Sequence, residues 1–283
     1  MRSRALIAAL AAAAFIGAAA VAYARTAAVE PPVVDTSFVS HALKGRLKVA
    51  VYLPIGYGSD GKRYPVVYFL HGLPASPSAY RGASFVAAAL RDRAILVAPQ
   101  GDRDGDSDPE YLDWGPGRNW ETALAVELPA WVDSHFRTIA NRRGRALVGL
   151  SAGGYGSLLI GLHHLDEFAA IEAWSGYFHP TDPSGTQPLD TGSRAKNLRA
   201  SAHALLPSVK AALRVHPTFI GFYVGAGDTR FAAENAVLDR ELTQAGIPHL
   251  YRVYPGGHEQ TLWQAQAPAW LSLALGRLER PRA

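Results

Sequence analysis

Short, almost wholly apolar runs alternate with helix-compatible segments along this chain, and no other feature constrains its fold as strongly. Runs such as "YPVVYFL" (64–70) have strand length and are apolar at successive positions, as expected of strands buried on both faces. The segment 231–245 instead has apolar residues at helical spacing, and Gly246 and Pro248 follow it as stop signals. We predict strands at 46–54, 64–70, 94–99, 145–150, 169–175, 218–227 and 249–256, and helices at 80–92, 121–136, 152–164, 230–245 and 260–276. This order predicts an α/β fold with a mostly parallel central sheet flanked by helices.

The N-terminus has the features of a signal peptide. "MRSR" is basic, an apolar alanine-rich stretch follows, and Ala22-Tyr23-Ala24 matches the pattern ahead of a cleavage site. We therefore predict a signal peptide at 1–24, a linker at 25–39 and a folded domain at 40–279. An uncleaved membrane anchor is the alternative, since the apolar stretch almost suffices to span a bilayer. Both interpretations predict a secreted or cell-envelope protein.

Composition excludes several classes of function. The chain has 283 residues, of which 48% are apolar and 18% charged, as in a globular protein with a sizeable core. Its net charge of +4 falls to +2 (4 − 2) without Arg2 and Arg4, too little for an electrostatic nucleic-acid surface. The absence of cysteine rules out disulfides and lipid attachment through cysteine. No glycine-rich phosphate-binding motif is present, so a nucleotide-binding function is not expected either.

The stretch "LVGLSAGGYGS" (147–157) contains the pattern G-x-S-x-G around Ser151. A predicted strand precedes this serine, and a helix rich in small residues follows it. A serine on so sharp a turn adopts a strained backbone, and glycines on either side prevent steric clashes. The following helix directs its N-terminal N–H groups toward the serine, where they stabilise negative charge. A glycine-rich turn with a capping serine is the alternative, but the context favours Ser151 as a nucleophile.

A nucleophilic serine needs a base and an acid, which follow it along the chain in folds of this type. His258, in "YPGGHEQTLW", lies between the last predicted strand and the last predicted helix, and we assign it as the base. Asp228, in "FYVGAGDTRF", follows the preceding strand, and we assign it as the acid. Asp228 also suits a helix N-cap, and Glu234 is the alternative acid.

The negative oxygen that forms when a serine attacks an ester needs hydrogen-bond donors. One backbone N–H is expected from Ala152, which follows the nucleophile, and the other from the loop "FLHGLPASPSAY" (69–80). Gly72 allows this loop to approach closely, so Leu73 is the predicted second donor. His71 is predicted to orient the loop rather than to act as a base.

With these elements in place, the chain resembles the esterase D-like branch of the α/β-hydrolases. That branch includes S-formylglutathione hydrolases, feruloyl esterase domains and mycolyltransferases of the antigen 85 type. The resemblance spans about 40–276 and is carried by "YPVVYFLHGLPAS", "NWETALAVELPAWVDSHF", "RALVGLSAGGYGSLLIGLHHLDEFAAIEAWSGYF", "FYVGAGDTRF" and "YPGGHEQTLW". It implies an α/β-hydrolase fold and carries the nucleophile, acid, base and oxyanion roles onto Ser151, Asp228, His258, Leu73 and Ala152.

Three functions remain open from the sequence. The first is an exported serine carboxylesterase that acts on a small-molecule or cell-envelope ester through an acyl-enzyme on Ser151. The second is an acyltransferase of the mycolyltransferase type that acts on cell-envelope sugars, in which an alcohol replaces water in the second step. The third is an envelope protein that keeps the fold only for binding. None of the three calls for a cofactor or a metal ion.

Two segments that break the alternation of strands and helices, together with several aromatic residues, are predicted to form the walls of a substrate site. Segments 101–120 and 177–217 follow predicted strand ends, where ligands bind in open α/β sheets, and the second is predicted to be a cap-like insertion. Trp120, Trp174 and Trp263 are predicted to contact an apolar or aromatic acyl group, with core packing as the alternative. The carboxylates of 102–108 lack the spacing of a calcium-binding loop and are predicted to be solvated.

Overall fold

The computed structural model describes residues 31–73, 79–91, 93–102, 108, 110–182 and 187–283, and its central feature is a sheet. The strands in this part of the chain are β1 Val33–Ser40, β2 Gly45–Tyr52, β3 Val66–Leu70, β4 Ile95–Pro99, β5 Arg145–Leu150, β6 Ala170–Trp174, β7 Phe219–Gly225 and β8 Leu250–Tyr254. Their order across the sheet is β1-β2-β4-β3-β5-β6-β7-β8. β1 and β2 pair antiparallel, as do β2 and β4, and the remaining neighbours are parallel. The predicted mostly parallel sheet is confirmed.

The first strand corrects the predicted linker at 25–39. Residues from Val33 onward form β1, which pairs with β2 along its whole length, from Val33 opposite Tyr52 to Ser40 opposite Gly45. β1 is an edge strand in which Phe38 and Ser40 are buried and most other side chains keep contact with solvent. Its stability comes mainly from the backbone ladder, so its mixed composition resembles that of a linker. The predicted signal peptide at 1–24 lies outside the described residues.

Helices cover both faces of the sheet. They are α1 Ser84–Leu90, α2 Trp120–Thr122, α3 Leu128–His135, α4 Ala152–His163, α5 Arg194–Arg199, α6 Ala202–Val215, α7 Ala232–Ala245 and α8 Gln260–Leu275, and a π-helical turn joins α2 to α3. Alternate residues of β3 enter different clusters: Tyr68 packs with residues of α3 and α4, and Phe69 with residues of α1 and α8. Every residue of β3 is therefore buried, which explains its continuous apolar sequence. Among the described residues, no helix is both long and apolar enough to cross a membrane.

The segment 177–217 joins β6 to β7 and contributes both to a flanking layer and to the rim of the sheet. Its helix α6 packs beside α4 and α7, with Leu206 and Val209 in a shared apolar cluster. Residues 183–186 of this segment lie outside the described part of the chain. The predicted insertion thus provides the connecting helix between two parallel strands, and its first residues reach the sheet edge.

A buried carboxylate links three helical segments through hydrogen bonds on one face of the sheet. Glu121, in α2, accepts hydrogen bonds at its Oε1 from His163 Nδ1 (2.9 Å), His164 Nε2 (3.1 Å) and Arg199 Nη2 (3.2 Å). Burial favours the neutral acid, but the hydrogen bonds from the two histidines outweigh it and lower the pKa of Glu121 to about 2. The ionised carboxylate therefore stabilises the folded chain.

Glu121→Gln is expected to lower the free energy of unfolding at neutral pH by about 2–3 kcal/mol. A folded-state pKa below the unfolded value of 4.5 contributes stability above that pH, and the contribution is lost as the pH falls toward 2. The wild-type chain should therefore lose this stability between those two pH values, whereas the variant should not. Urea unfolding across this pH range measures both effects, with the exposed Asp166→Asn as the control. Parallel pH profiles for wild type and Glu121→Gln would contradict the assignment.

Candidate active site

Parallel strands place the predicted site residues at one edge of the sheet. The loops after β3, β5, β7 and β8 carry Leu73, Ser151, Asp228 and His258, and these loops all leave the carboxyl ends of their strands. Carboxyl ends of neighbouring parallel strands lie on the same edge, so residues that are far apart in sequence meet there.

Ser151 occupies a strained turn between β5 and α4. Its φ is 54° and its ψ −121°, a conformation that is rare for a residue with a side chain. The turn is fixed on both sides, because Ser151 N–H donates to Trp174 O (2.8 Å) and Tyr155 N–H donates to Ser151 O (3.0 Å). The side chain is largely buried, with 8% of the residue exposed.

The glycines of the G-x-S-x-G pattern are required by close backbone contacts. A Cβ at Gly149 would lie 2.0 Å from Gly153 O, and a Cβ at Gly153 would lie 2.0 Å from Leu70 O. Both oxygens are backbone atoms and cannot move aside as the end of a flexible side chain can. An added methyl group would therefore force the turn, β3 and α4 apart. The predicted steric role of these glycines agrees with the structure.

Gly153→Ala is therefore expected to destabilise the chain by about 3 kcal/mol or more, although alanine normally favours a helix. The added Cβ would overlap Leu70 O, and relief would require the loop after β3 to shift. Thermal unfolding measures the loss, with Gly45→Ala as the matched control because a Cβ there meets only Leu43 O at 3.6 Å. An unchanged melting temperature for Gly153→Ala would show that the contact is relieved at little cost.

A chain of hydrogen bonds links Ser151, His258 and Asp228. Ser151 Oγ lies 2.9 Å from His258 Nε2, and His258 Nδ1 lies 2.8 Å from Asp228 Oδ2. Since the carboxylate is an acceptor, Nδ1 carries the proton and Nε2 can accept one from Ser151. The structure thus brings together the predicted nucleophile, base and acid with the polarity that proton transfer from the serine requires.

Backbone N–H groups of the loop after β7 fix the orientation of the Asp228 carboxylate. Its Oδ1 accepts hydrogen bonds from the backbone N–H groups of Arg230 and Phe231, each at 3.2 Å. Burial acts to raise the pKa of Asp228, but the hydrogen bond from His258 and the backbone donors outweigh it, and the pKa is lowered. Glu234, the alternative acid, lies on α7 and is bound instead by Phe178 N–H, His179 and His203.

Aromatic rings hold the His258 imidazole in place. Phe231 and Trp263 contact it edge to face, with ring centroids 5.2 Å and 5.1 Å away. Trp263 Nε1 in turn donates to Ser175 Oγ (3.0 Å), and Ser175 has a positive φ of 48°. No local motif separates Phe231 from a core residue, so the sequence does not predict its place in this site.

The two predicted oxyanion donors line the same cleft as Ser151. Ala152 begins α4 directly after the serine, and Leu73 lies on the loop after β3. A Cβ at Gly72 would lie 3.2 Å from Ser151 Cβ, so glycine allows this loop to approach the serine closely. Residues 74–78 of the predicted oxyanion loop lie outside the described part of the chain.

His71 fixes the loop that carries Leu73. Gly101 N–H donates to His71 Nε2 (3.0 Å), so Nδ1 carries the proton and donates to Gly72 O (2.7 Å). Tyr111 Oη donates to His71 O. These contacts match the predicted orienting role of His71.

The cleft at Ser151 has a volume of about 320 Å³ and a largely aromatic wall. Its aromatic lining residues are Phe69, Phe85, Tyr177, Phe231 and Trp263, and Arg230 and Gln260 add polar groups. The Tyr177 hydroxyl donates to buried Glu110 (2.7 Å), and its ring stacks on Tyr155, so this wall is held rigidly from behind.

Of the predicted substrate contacts, Trp263 lines the cleft, and the other two tryptophans require correction. Trp120 is 2% exposed and its Nε1 donates to Asp108 Oδ2 (3.1 Å). Trp174 is fully buried and its Nε1 donates to Glu172 Oε2 (3.1 Å). Both pack in the core because their strand or helix directs them inward.

The predicted loop 102–108 is described only at its ends. Asp102 and Asp108 are buried, and Asp108 forms an ion pair with Arg118 (2.5 Å). The expectation of a solvated loop is therefore wrong for these two carboxylates, which are held by protein groups, and 103–107 lie outside the described residues.

Comparison with protein-family models decides the family. A model described as "Putative esterase" matches residues 40–272. The chain belongs to this esterase family. Esterase Rv1288 of Mycobacterium tuberculosis strain H37Rv is 29% identical to it over 252 residues, which cover 78% of this chain and 54% of the relative. Esterase MT1326 of strain CDC 1551 matches equally well, so the chain spans about half the length of these curated relatives.

Solved structures place this chain in the α/β-hydrolase fold. A ferulic acid esterase matches with a TM-score of 0.71 at 25% identity, covering 88% of this chain and 100% of that chain. MPT51 of Mycobacterium tuberculosis matches with a TM-score of 0.64 at 18% identity, covering 88% of this chain and 99% of that chain. The predicted α/β-hydrolase fold and the resemblance to the esterase D-like branch are both confirmed.

Proposed function

We propose that this chain is an exported serine carboxylesterase that hydrolyses esters through an acyl-enzyme on Ser151. The observation that carries the proposal is the hydrogen-bonded chain from Ser151 through His258 to Asp228 at the cleft of an esterase-family fold. A role confined to binding would not require nucleophile, base and acid in this arrangement.

In the first half of the proposed reaction, Ser151 Oγ attacks the ester carbonyl carbon while His258 Nε2 takes the hydroxyl proton. The carbonyl electron pair moves to oxygen, where the N–H groups of Leu73 and Ala152 stabilise the negative charge. When the carbonyl re-forms, the bond to the alcohol breaks, and His258 returns the proton to the departing alcohol. The acyl group remains on Ser151.

In the second half, water takes the place of the alcohol. His258 Nε2 accepts a proton from the water molecule as the water oxygen attacks the acyl carbon. When the intermediate collapses, the bond from the acyl carbon to Ser151 Oγ breaks, His258 returns the proton to Oγ, and the acid is released. Asp228 holds the Nδ1 proton of His258 and stabilises the imidazolium that forms in each half. The lowered pKa of Asp228 supports this role, because the carboxylate stays charged at the pH of the reaction.

The cleft favours a compact acyl group with aromatic character. Its volume of about 320 Å³ is at the lower end of ligand sites, and Phe85, Phe231 and Trp263 line it. Aromatic faces pack well against a planar acyl group. The match to a ferulic acid esterase at 25% identity supports the same choice.

Time-resolved intact mass spectrometry tests the proposal. The purified chain is mixed with p-nitrophenyl esters from acetyl to palmitoyl and with methyl ferulate. We expect a burst of p-nitrophenol with a transient adduct of acyl mass on Ser151, greatest for short or aromatic acyl groups. No adduct, no ester turnover and no labelling by a fluorophosphonate probe would overturn the proposal and favour a binding protein.

Export is a separate part of the proposal and rests on the N-terminal sequence. "MRSR", the apolar stretch and Ala22-Tyr23-Ala24 support processing after residue 24. The mass of the chain recovered from the extracytoplasmic fraction of an expressing bacterium tests this. A mature chain that begins at Arg25 is expected, and a full-length chain confined to the cytoplasm would contradict export.

A further inference from the structure

A second cluster of histidine and carboxylate side chains lies next to α7. His179 follows β6, His203 lies on α6, and Glu234 lies in the first turn of α7. Glu234 Oε1 is 2.5 Å from His179 Nδ1 and 3.2 Å from His203 Nε2. The nearest side-chain atoms of all three residues lie within 4.8 Å of one another.

We propose that His179, His203 and Glu234 bind a divalent transition-metal cation, with Zn²⁺ as the best match. Two imidazole nitrogens and one carboxylate oxygen form a donor set that zinc accepts in tetrahedral sites. Water would take the fourth position. The sequence did not suggest this site, because its residues come from three separate segments without a metal-binding motif.

The surroundings of His203 support the proposal. Its Nδ1 lies 2.5 Å from Glu241 Oε2, so Glu241 fixes the ring with Nε2 directed at Glu234. A carboxylate behind a histidine is the usual support of a metal-binding imidazole, since it sets the tautomer and raises the basicity of the ligating nitrogen. Glu234 and Glu241 both lie on α7, two turns apart, so one helix supplies a ligand and the supporting group.

The cluster around Glu121 provides an internal comparison. There too, two histidines donate to one carboxylate oxygen, but the Arg199 guanidinium also binds that oxygen at 3.2 Å. A side-chain cation therefore already occupies the position that a metal ion would need. Glu234 Oε1, by comparison, is hydrogen-bonded to the imidazoles of His179 and His203 and to the Phe178 N–H (2.8 Å).

Metal binding requires only a small adjustment of the cluster. Ligand atoms about 2 Å from a tetrahedral zinc ion lie somewhat more than 3 Å apart, so the His179 imidazole must move outward from Glu234. Its side chain is 44% exposed, which leaves room for that movement. The ion takes the place of the protons between the imidazoles and Glu234, and those protons leave to solvent.

The ion would connect parts of the fold that flank the cleft. Tyr177 and Phe231 line the cleft, and the proposed ligands His179 and Glu234 follow them closely in sequence. The described lining of the cleft includes none of the three ligands. The site is therefore distinct from Ser151, and its expected role is to hold the segment after β6 against α7.

Calorimetric titration of the chelator-treated, tag-free full chain with ZnCl₂ tests the proposal. We expect one saturable site, and a melting temperature about 5 °C or more higher at zinc concentrations 100-fold above Kd. Bound Co²⁺ should show the visible absorption of four-coordinate cobalt. His179→Ala, His203→Ala and Glu234→Gln should each weaken zinc binding at least about 10-fold, and Glu241→Gln by about 10-fold.

His164→Ala is the matched control, because it removes an imidazole from the Glu121 cluster, and its zinc affinity should equal that of wild type. His179→Ala is the decisive variant, since its half-exposed side chain can be removed without disturbing the core. If His203→Ala does not fold, His179→Ala and Glu241→Gln still give the answer. Absence of saturable binding to wild type, or equal affinity of wild type and His179→Ala, would overturn the proposal.

Discussion

Ser151→Ala is expected to lower the turnover of activated esters by about five orders of magnitude while the chain stays folded. The reason is the loss of the only hydroxyl that His258 Nε2 contacts among the described residues, at 2.9 Å. Without Oγ no acyl-enzyme can form, and the residual rate would come from the oxyanion donors and from binding alone. Steady-state release of p-nitrophenol measures the rate.

The controls for Ser151→Ala separate chemistry from folding. Circular dichroism and the melting temperature should match wild type, since the serine hydroxyl contributes little to packing. Ser134→Ala is the matched control, because Ser134 lies exposed on α3 and bonds only locally to Trp131 O and His135. A variant at Ser151 that retained the wild-type rate would contradict the proposed nucleophile.

Asp228→Asn is expected to lower kcat by about three to four orders of magnitude with a folded cleft. An asparagine amide can donate to His258 Nδ1, which would favour the tautomer with the proton on Nε2, so the imidazole could no longer accept the serine proton. The variant also loses the negative charge that stabilises the imidazolium. Labelling of Ser151 by a fluorophosphonate should slow in parallel with ester turnover.

A second aspartate–histidine pair provides the matched control for Asp228→Asn. Asp239 lies on α7 and His249 directly before β8, and Asp239 Oδ1 is 2.9 Å from His249 Nε2. Neither residue is among the described residues that line the cleft at Ser151. Asp239→Asn should keep the wild-type rate. Equal losses in the two variants would point to a general effect on folding and against a role for Asp228 in the reaction.

The sequence predicts those parts of the fold and of the site whose signals are local. β3 is continuously apolar because both its faces are buried, and Ser151 is surrounded by glycines because its turn has no room for a Cβ. β1 is missed because an edge strand needs few apolar side chains. Trp174 is misassigned because sequence gives its place on a strand but not the direction of its side chain.

Contacts between distant segments account for the rest. Phe231 belongs to the site because its ring touches His258, a contact that nothing near residue 231 indicates. Likewise, His203 meets Glu234 only because α6 packs beside α7. Such contacts depend on how helices pack on the sheet, and a single sequence carries no direct signal for them.

The aromatic contacts on His258 have a consequence for the energetics of the proposed reaction. Phe231 and Trp263 confine the imidazole, and Trp263 is itself anchored to Ser175. Immobilising a side chain costs about 0.5–1.5 kcal/mol of rotational entropy, and here that cost falls on folding, before any ester arrives. In the proposed reaction, a small ester with little binding energy of its own therefore meets a pre-organised imidazole, so even minimal substrates should reach the transition state without first ordering the site.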